Sequence, residues 1–395
     1  MPPTSSARSW WDRPGPVRLL FPHGHGFAVA AELNRMGFPP RAEGPSFVEV
    51  SAPPRAAIRM CVWSRSAHRI IVPLREFSAR SLDQFAGECA RIPWDMLLGP
   101  DHPITVTCAV QTPAIRDHRI VNLRCKDVIV DRLAAVHGRR PDSGPGREGL
   151  CVFVHWNGLR CSVALDMCGE PLTQRGYRAV AVEAPMREPL AATILSATGY
   201  DGSVPLVNPM CGSGTLAIEA AWIAAGIPPG VLRPRYAFES ILGYEPEWRV
   251  EAEQHTPRDT GLILATDHDP RAIEAARVNA ECAGVRDRIT FEVCDVEATP
   301  VPPGQGIMVV NPPYGVRLSN EGDLRAPYSA LGRFFRKHPG FTSWVITSDS
   351  ALLQPVGLTA TSRRTLHNGD LDCRLVEYHI HAPPPTAATT ATIIP

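Results

Sequence analysis

From residue 185 onward, apolar runs of strand length alternate with segments of helical spacing. The runs fall at 205–207, 262–266, 289–293, 307–310 and 344–347, and the helical segments at 215–225, 270–282 and 326–337. Runs that are apolar throughout mark strands covered on both faces. Helices between consecutive strands are the crossovers that a parallel, doubly wound sheet requires. Two final runs, 359–366 and 373–379, have no helix between them and flank Asn368-Gly369, a two-residue hairpin signal. The expected fold of residues 185–383 is therefore α/β, a parallel sheet closed by an antiparallel hairpin.

The preceding chain has a different rhythm. Over residues 17–74, short apolar runs at 19–21, 47–50 and 70–72 surround one helical pattern at 28–36, which reads as a small α+β unit. Residues 75–168 read as a second one. It has helices at 81–91 and 121–136 and strands at 104–110, 150–156 and 159–165, the last two joined by the hairpin signal Asn157-Gly158. Residues 139–149 are expected to be a flexible loop and 169–184 a linker. The polar ends, 1–16 and 384–395, are expected to be disordered.

A length of 395 residues suits two or three domains. An apolar fraction of 44% with 20% charged residues is that of a soluble globular chain. No run is long enough to span a bilayer, and residues 1–16 lack the apolar core of a leader, so a cytoplasmic location and no membrane partner are expected. None of the 11 cysteines forms a Cys-x-x-Cys pair, so reduced thiols and no metal are expected. The net charge of zero hides an asymmetry. Residues 1–147 hold 20 Lys+Arg and 13 Asp+Glu, a balance of +7, which leaves 20 and 27, a balance of −7, for residues 148–395. A basic half beside an acidic half points to a polyanion held by the first.

The chemistry-bearing residues of the second half sit where strands end. Asn208-Pro209-Met210-Cys211-Gly212-Ser213-Gly214-Thr215 lies between a strand and a helix. Glycines there let the backbone approach a ligand at a helix N-terminus. No Gly-Lys-Ser/Thr follows, which excludes a phosphate-cradling P-loop. The next strand ends in Asp267-His268, where a carboxylate can accept both hydroxyls of a ribose, and the third in Asp295-Val296, where an acid and an apolar side chain can receive an adenine. Cys211 reads as a packing residue of the loop. This layout fits S-adenosylmethionine as well as it fits a dinucleotide.

The fourth strand decides between them. Val309-Val310-Asn311-Pro312-Pro313-Tyr314 places two consecutive prolines after an apolar run. Two missing N–H donors leave carbonyls free. The Asn311 side chain and the Pro312 backbone offer two acceptors, which suits the two hydrogens of an amino group on a planar base. Tyr314 would stack on that base once it leaves its helix. The expected catalytic residues are Asn311, Pro312, Pro313 and Tyr314, acting by positioning and electrostatics on a methyl transfer from S-adenosylmethionine.

These residues together resemble a known family. Asn-Pro-Pro-Tyr combined with Pro209-Met210-Cys211-Gly212-Ser213-Gly214-Thr215-Leu216 is similar to the THUMP-domain RNA guanine-N2 methyltransferases, over about residues 18–380. Lys126-Asp127-Val128-Ile129-Val130-Asp131 resembles a THUMP helix motif, and Arg175-Gly176-Tyr177-Arg178 the entry to the methyltransferase domain. Pro185-Met186-Arg187-Glu188-Pro189-Leu190 resembles that domain's first helix, and residues 230–239 an insertion of the family. The resemblance implies a ferredoxin-like domain at 17–74, a THUMP RNA-binding domain at 75–168 and a Rossmann-like class I methyltransferase domain at 185–383. It implies S-adenosylmethionine as cofactor and, as substrate, the exocyclic N2 of a guanosine in structured RNA. The 23S ribosomal RNA is expected first and transfer RNA second. DNA adenine-N6 methylation and a non-catalytic RNA-binding assembly factor are the alternatives. RNA contacts are expected from Arg119, Arg124, Lys126, Arg175 and Arg178, with Arg65, Arg69, Arg116, Arg139 and Arg140 as further candidates. A monomer is expected. One departure stands out: the family usually has Asp where this chain has Asn208, and Glu188 is a candidate to supply the missing charge beside the cofactor.

Overall fold

Residues 5–99, 101, 103–140, 149–181, 185–313, 324–369 and 371–380 are described by a computed structural model. Residues 141–148 of the expected loop, 182–184 of the expected linker and the whole 384–395 tail lie outside them. Helices are α1 Ser5–Asp12, α2 Gly26–Arg35, α3 Pro54–Trp63, α4 Leu82–Cys89, α5 Trp94–Leu97, α6 Arg119–His137, α7 Glu188–Thr198, α8 Thr215–Ala225, α9 Pro246–Glu253, α10 Pro270–Cys282 and α11 Arg325–Arg336. Strands are β1 Gly15–Leu20, β2 Ala42–Gly44, β3 Phe47–Ala52, β4 Arg69–Ser78, β5 Ile104–Gln111, β6 Leu150–Asn157, β7 Arg160–Asp166, β8 Leu206–Pro209, β9 Ile263–Asp267, β10 Thr290–Val293, β11 Gly306–Val310, β12 Phe341–Thr347, β13 Ser362–Asn368 and β14 Leu371–His379.

The strands form two seven-stranded sheets. The N-terminal one has the order β2-β3-β1-β4-β7-β6-β5 and is antiparallel except for the β5/β6 pair. The C-terminal one has the order β10-β9-β8-β11-β12-β14-β13, with β8 to β12 parallel and β14 and β13 antiparallel to their neighbours. This is the fold expected from the sequence, including the closing hairpin. The turn after Asn368 is made by Gly369 at φ +65°, a left-handed conformation that glycine adopts without strain.

Three expectations need correction. Residues 1–16 include the ordered α1, because Trp11 is fully buried, donates from Nε1 to the Leu242 carbonyl at 2.9 Å and packs edge-on against Trp248. Two adjacent tryptophans are poor material for a disordered tail. The helix α3 was not among the expected elements. Its Pro54 occupies the first helical position, where the missing N–H costs nothing, so prolines that look like a break are a start signal. Finally, the expected boundary between 74 and 75 falls inside β4. That strand pairs with β1 through Arg69–Ile71 and with β7 through Ile71–Ser78, so one sheet runs through both N-terminal units. The register shifts between Pro73 and Arg75, where the proline cannot donate to the ladder.

The two sheets are joined by more than the linker. The chain after α8 reaches back, and Tyr236, Phe238, Ile241 and Ala252 bury themselves in the core of the N-terminal sheet. The Gly230 N–H donates to the Val62 carbonyl at 3.0 Å. A Cβ there would collide with the Tyr236 hydroxyl and the Val62 backbone, so this approach requires glycine. Buried ionic contacts add a second tie. On the linker, Arg175 donates from Nε to Glu219 of α8 at 3.3 Å and from Nη1 and Nη2 to the carbonyls of Leu172 and Arg65. Arg65 donates to the Ile227 carbonyl at 2.5 Å. Glu32 of α2 accepts from the hydroxyls of Ser64 and Ser66 and from the backbone N–H groups of Arg65 and Ser66. At a third tie, His25 is buried with Nδ1 2.9 Å from Thr193 Oγ1 of α7 and Nε2 3.0 Å from the His367 carbonyl of β13. No described helix is long and apolar enough to cross a membrane.

Candidate active site

Parallel strands bring all their carboxyl ends to one edge, and the chemistry-bearing residues gather there. After β8 the chain turns through Met210 at φ +54°, Gly212 at φ +55° and Gly214 at φ +82° before α8 begins at Thr215. Met210 is the one non-glycine residue with positive φ among those described. Strain of this kind persists where the surroundings fix the backbone. The surroundings here are dense. Cys211 N donates to the Thr266 carbonyl at 2.9 Å, Gly212 N to Asp267 Oδ2 at 2.9 Å, and Asn279 Nδ2 to the Ser213 carbonyl at 3.1 Å. A Cβ on Gly214 would lie 2.9 Å from that of Ala276.

The strand-end acids differ in setting. Asp267 is nearly buried and braces the loop through Gly212. His268 is exposed, with Nδ1 3.4 Å from Asp267 Oδ1. Asp295 is exposed at the end of β10, and Val296 beside it is buried. Burial and the nearby Asp267 push the Cys211 thiol well above its ordinary pKa, which keeps it a neutral packing group rather than a nucleophile.

Asn208 and Asn311 form the centre. β8 and β11 are paired neighbours. Asn208 is buried, and its Nδ2 donates to the Val309 carbonyl at 2.8 Å, two residues before Asn311. Asn208 Oδ1 and Asn311 Oδ1 are both buried without a hydrogen-bond partner among the described residues. Buried acceptors are rarely left so, and two at neighbouring strand ends call for donors from a ligand. An Asp at 208 could not make the bond to Val309 without a proton of its own. Pro312 is buried and Pro313 half-buried, while Tyr314 lies outside the described residues.

The expected nucleic-acid contacts fall into two groups. Arg116, Arg119 and Arg124 are exposed on or just before α6, and Lys126 is half-buried on it. Arg139 and Arg140 are exposed but pair with Asp101 and Asp131. The others face inward. Arg175 is only 2% exposed and is consumed by Glu219 and carbonyls, so it does not offer a phosphate contact. Arg65 is half-buried in the same network, and Arg69 pairs with the buried Asp166. Arg178 donates to Glu188 at 2.7 Å, to Ser213 Oγ at 3.2 Å and to Thr215 Oγ1 at 3.0 Å, so it braces the glycine loop rather than facing outward. Glu188 is thereby neutralised by Arg178 and is no free substitute for a carboxylate at 208. A usable signal was present. Glu188 and Glu219 are single carboxylates in otherwise apolar helices, and a buried carboxylate requires a cation.

Comparison with known proteins bears on the family and the fold. Residues 175–377 match the family model described as UPF0020, RMKL-like, methyltransferase domain, and residues 21–71 match the RlmL ferredoxin-like domain. Among curated relatives, a ribosomal RNA large subunit methyltransferase K/L of Syntrophotalea carbinolica is 35% identical over 89% of this chain and 52% of its own length. One from Allochromatium vinosum is 36% identical over 90% of this chain and 50% of its own. The chain thus spans about half the length of the curated relatives it matches. Among solved structures, a possible methylase from Clostridium difficile 630 superposes with a TM-score of 0.85 at 27% identity, covering 95% of this chain and 100% of that one. A protein assigned as a methyltransferase and crystallised with SAH gives a TM-score of 0.84 at 25% identity, covering 94% and 100%. A protein named as a predicted N6-adenine-specific DNA methylase from Listeria monocytogenes gives 0.83 at 27%, covering 93% and 97%. With the family model matching more than half its residues, the chain belongs to the UPF0020 family of RMKL-like methyltransferase domains.

Proposed function

We propose that this chain methylates the exocyclic N2 of a guanosine in large-subunit ribosomal RNA, with S-adenosylmethionine as methyl donor. The observation that carries the reading is the buried Asn311 Oδ1, which has no partner among the described residues, at the carboxyl end of β11 beside the glycine loop. The residues fit the cofactor. Asn208 Oδ1 is a free acceptor for an ammonium group, the loop from Cys211 to Gly214 admits close backbone approach, and Asp267 and Asp295 stand where ribose and adenine would lie. When bound, the cofactor supplies an electrophilic methyl on a sulfonium.

The chain's own contribution is positioning. Asn311 Oδ1 and the Pro312 carbonyl accept the two amino hydrogens, which draws the nitrogen lone pair out of conjugation with the ring and fixes its direction. The consecutive prolines keep competing N–H donors away. Tyr314 stacks on the extruded base. Methyl transfer leaves a positive charge on the amino nitrogen, and this cation is a strong acid that sheds one proton to water, so no side chain has to act as base. The ribosomal substrate is supported by the names of the curated relatives, and the basic balance of residues 1–147 supports a nucleic-acid grip of THUMP type in that half.

DNA adenine-N6 methylation is the second reading, favoured by the name of the Listeria neighbour and by a motif that any planar amine would satisfy. Mass spectrometry of nucleosides from a strain lacking the gene separates the two. Loss of N2-methylguanosine from large-subunit RNA is expected. Loss of N6-methyladenine from DNA, with the RNA mark intact, refutes the proposal.

A further inference from the structure

The closing hairpin carries a charged feature that the catalytic motif does not use. Arg363, Arg364 and Arg374 line a cleft of about 210 Å³ with Ser350, Leu353 and Thr365. The neighbouring carboxylates are engaged elsewhere. Asp372 pairs with His367 at 3.0 Å, Glu377 with Ser362 Oγ at 2.6 Å and His379 at 2.8 Å, and Asp349 accepts from Ala351 N at 2.8 Å. Among the described residues, no carboxylate pairs with the three arginines of the cleft. Two of the three are nevertheless held in place. Arg374 Nη1 donates to Thr365 Oγ1 at 2.7 Å, and the Arg364 guanidinium lies 4.9 Å from the centre of the Phe27 ring.

The register places this cleft on the active-site edge. Val310 pairs with Val345, so Asn311 follows level with Ile346. Ile346 pairs with Leu375, and Leu375 with Arg364. Three strand spacings separate Asn311 from Arg364, roughly 14 Å. Arg363 and Arg374 share the face of the hairpin that carries Val376, with Arg364 on the opposite face at the edge of the cleft, over Phe27, in the half of the chain whose charge balance is 20 Lys+Arg against 27 Asp+Glu.

Charge on an edge strand can serve only to block edge-to-edge pairing. β13 is such an edge, and that purpose would account for Arg363 and Arg364. It does not account for Arg374, which lies on the interior strand β14, half-buried and bonded to Thr365.

We propose that this cleft binds a backbone phosphodiester of the RNA strand carrying the target base, a few nucleotides from that base. The proposal rests on the function proposed above. Guanidinium forks match phosphate oxygens bidentately, and a strand held on both sides of a flipped nucleotide keeps it extruded.

The test compares the full chain with its Arg363→Ala/Arg364→Ala and Arg363→Lys/Arg364→Lys forms. The probe is protein-free large-subunit ribosomal RNA, with binding measured across a KCl series and methylation kinetics alongside. For the alanine pair, RNA affinity is expected to fall at least about 10-fold, and the slope of log affinity against log salt to shrink by about 1 to 2. The loss should appear in KM for RNA, with KM for S-adenosylmethionine unmoved, and the lysine pair should recover most of it. Parent-like affinity and slope in the alanine pair would overturn the cleft assignment alone, as would increased aggregation with unaltered RNA binding, the mark of an edge blocked by charge only. A parent protein that binds no RNA would overturn the proposed function, and this inference with it.

Discussion

The two sheets have seven strands each and opposite uses. In the antiparallel N-terminal sheet, strand ends alternate between both edges, so no line of loops gathers on one side. In the parallel C-terminal sheet, every crossover returns the chain to the same side, and the glycine loop, Asp267, Asp295 and Asn311 all follow strand ends there. Chemistry collects where topology stacks loops, and the other sheet is left to present surface. The difference teaches that the unsatisfied polar atoms carry different meanings in the two places. Asn208 Oδ1 and Asn311 Oδ1 lie at the strand ends where the ligand site is proposed, whereas Glu219 Oε2 and Arg65 Nη1, also without hydrogen-bond partners among the described residues and 4.0 Å apart, are held between the halves.

That contrast can be broken by mutation. The largest effect is expected from Glu219→Ala, which leaves the buried Arg175 and half-buried Arg65 without their carboxylate. A loss of roughly 3–5 kcal/mol in urea unfolding is expected, and a loss under 1 kcal/mol would mean the junction is not a tie. Asn311→Ala acts on chemistry instead. Methyl transfer should fall about 100- to 1,000-fold, with the unfolding midpoint and cofactor affinity near parent values. Turnover within a few-fold of the parent removes Asn311 from its assigned role.

Burial pushes His25 down to about 4 from an ordinary value of 6.5, and His68 likewise to about 4. Between those values the unfolded chain binds protons that the folded chain refuses. Stability therefore falls as pH drops from about 6.5 towards 4, by about 3 kcal/mol for His25, and levels off below that window. His25→Phe should flatten this slope, and an unchanged slope would assign the acid sensitivity to other groups. The smallest effect is expected from Gly214→Ala, which combines a left-handed backbone with a close approach to Ala276. It should cost about 1–3 kcal/mol and weaken the thermal shift produced by S-adenosylmethionine. A normal shift would show that the loop can yield.

Much of the C-terminal fold was legible because its signals are local. The helices Thr215–Ala225 and Pro270–Cys282 coincide with their expected limits, since Gly214 and Asp269-Pro270 start them and the apolar spacing carries them. The strand-end positions of the site residues were legible for the same reason. Arg175 and Arg178 face inward, to carboxylate partners that lie 44 and 10 residues away, and an arginine's sequence neighbours do not say whether it faces solvent or Glu219. The α3 helix was lost between prolines, and α1 was lost because its anchor, Trp248, lies in the distant segment that returns to the N-terminal core. Asn208's bond to Val309 spans 101 residues and has no local trace.

Glu219 sits one turn into α8, the helix that begins at the glycine loop. Its tie to Arg175, and through Arg175 to Arg65, fastens the floor of the cofactor site to the N-terminal half. The molecule is therefore a calliper with a stiff hinge rather than two beads on a string. If the N-terminal half clasps RNA as proposed, the clasped element meets Asn311 at one fixed span, and a site would be chosen by its distance from that element. Lengthening that spacer by a single base pair should then be punished more than changing the bases within it.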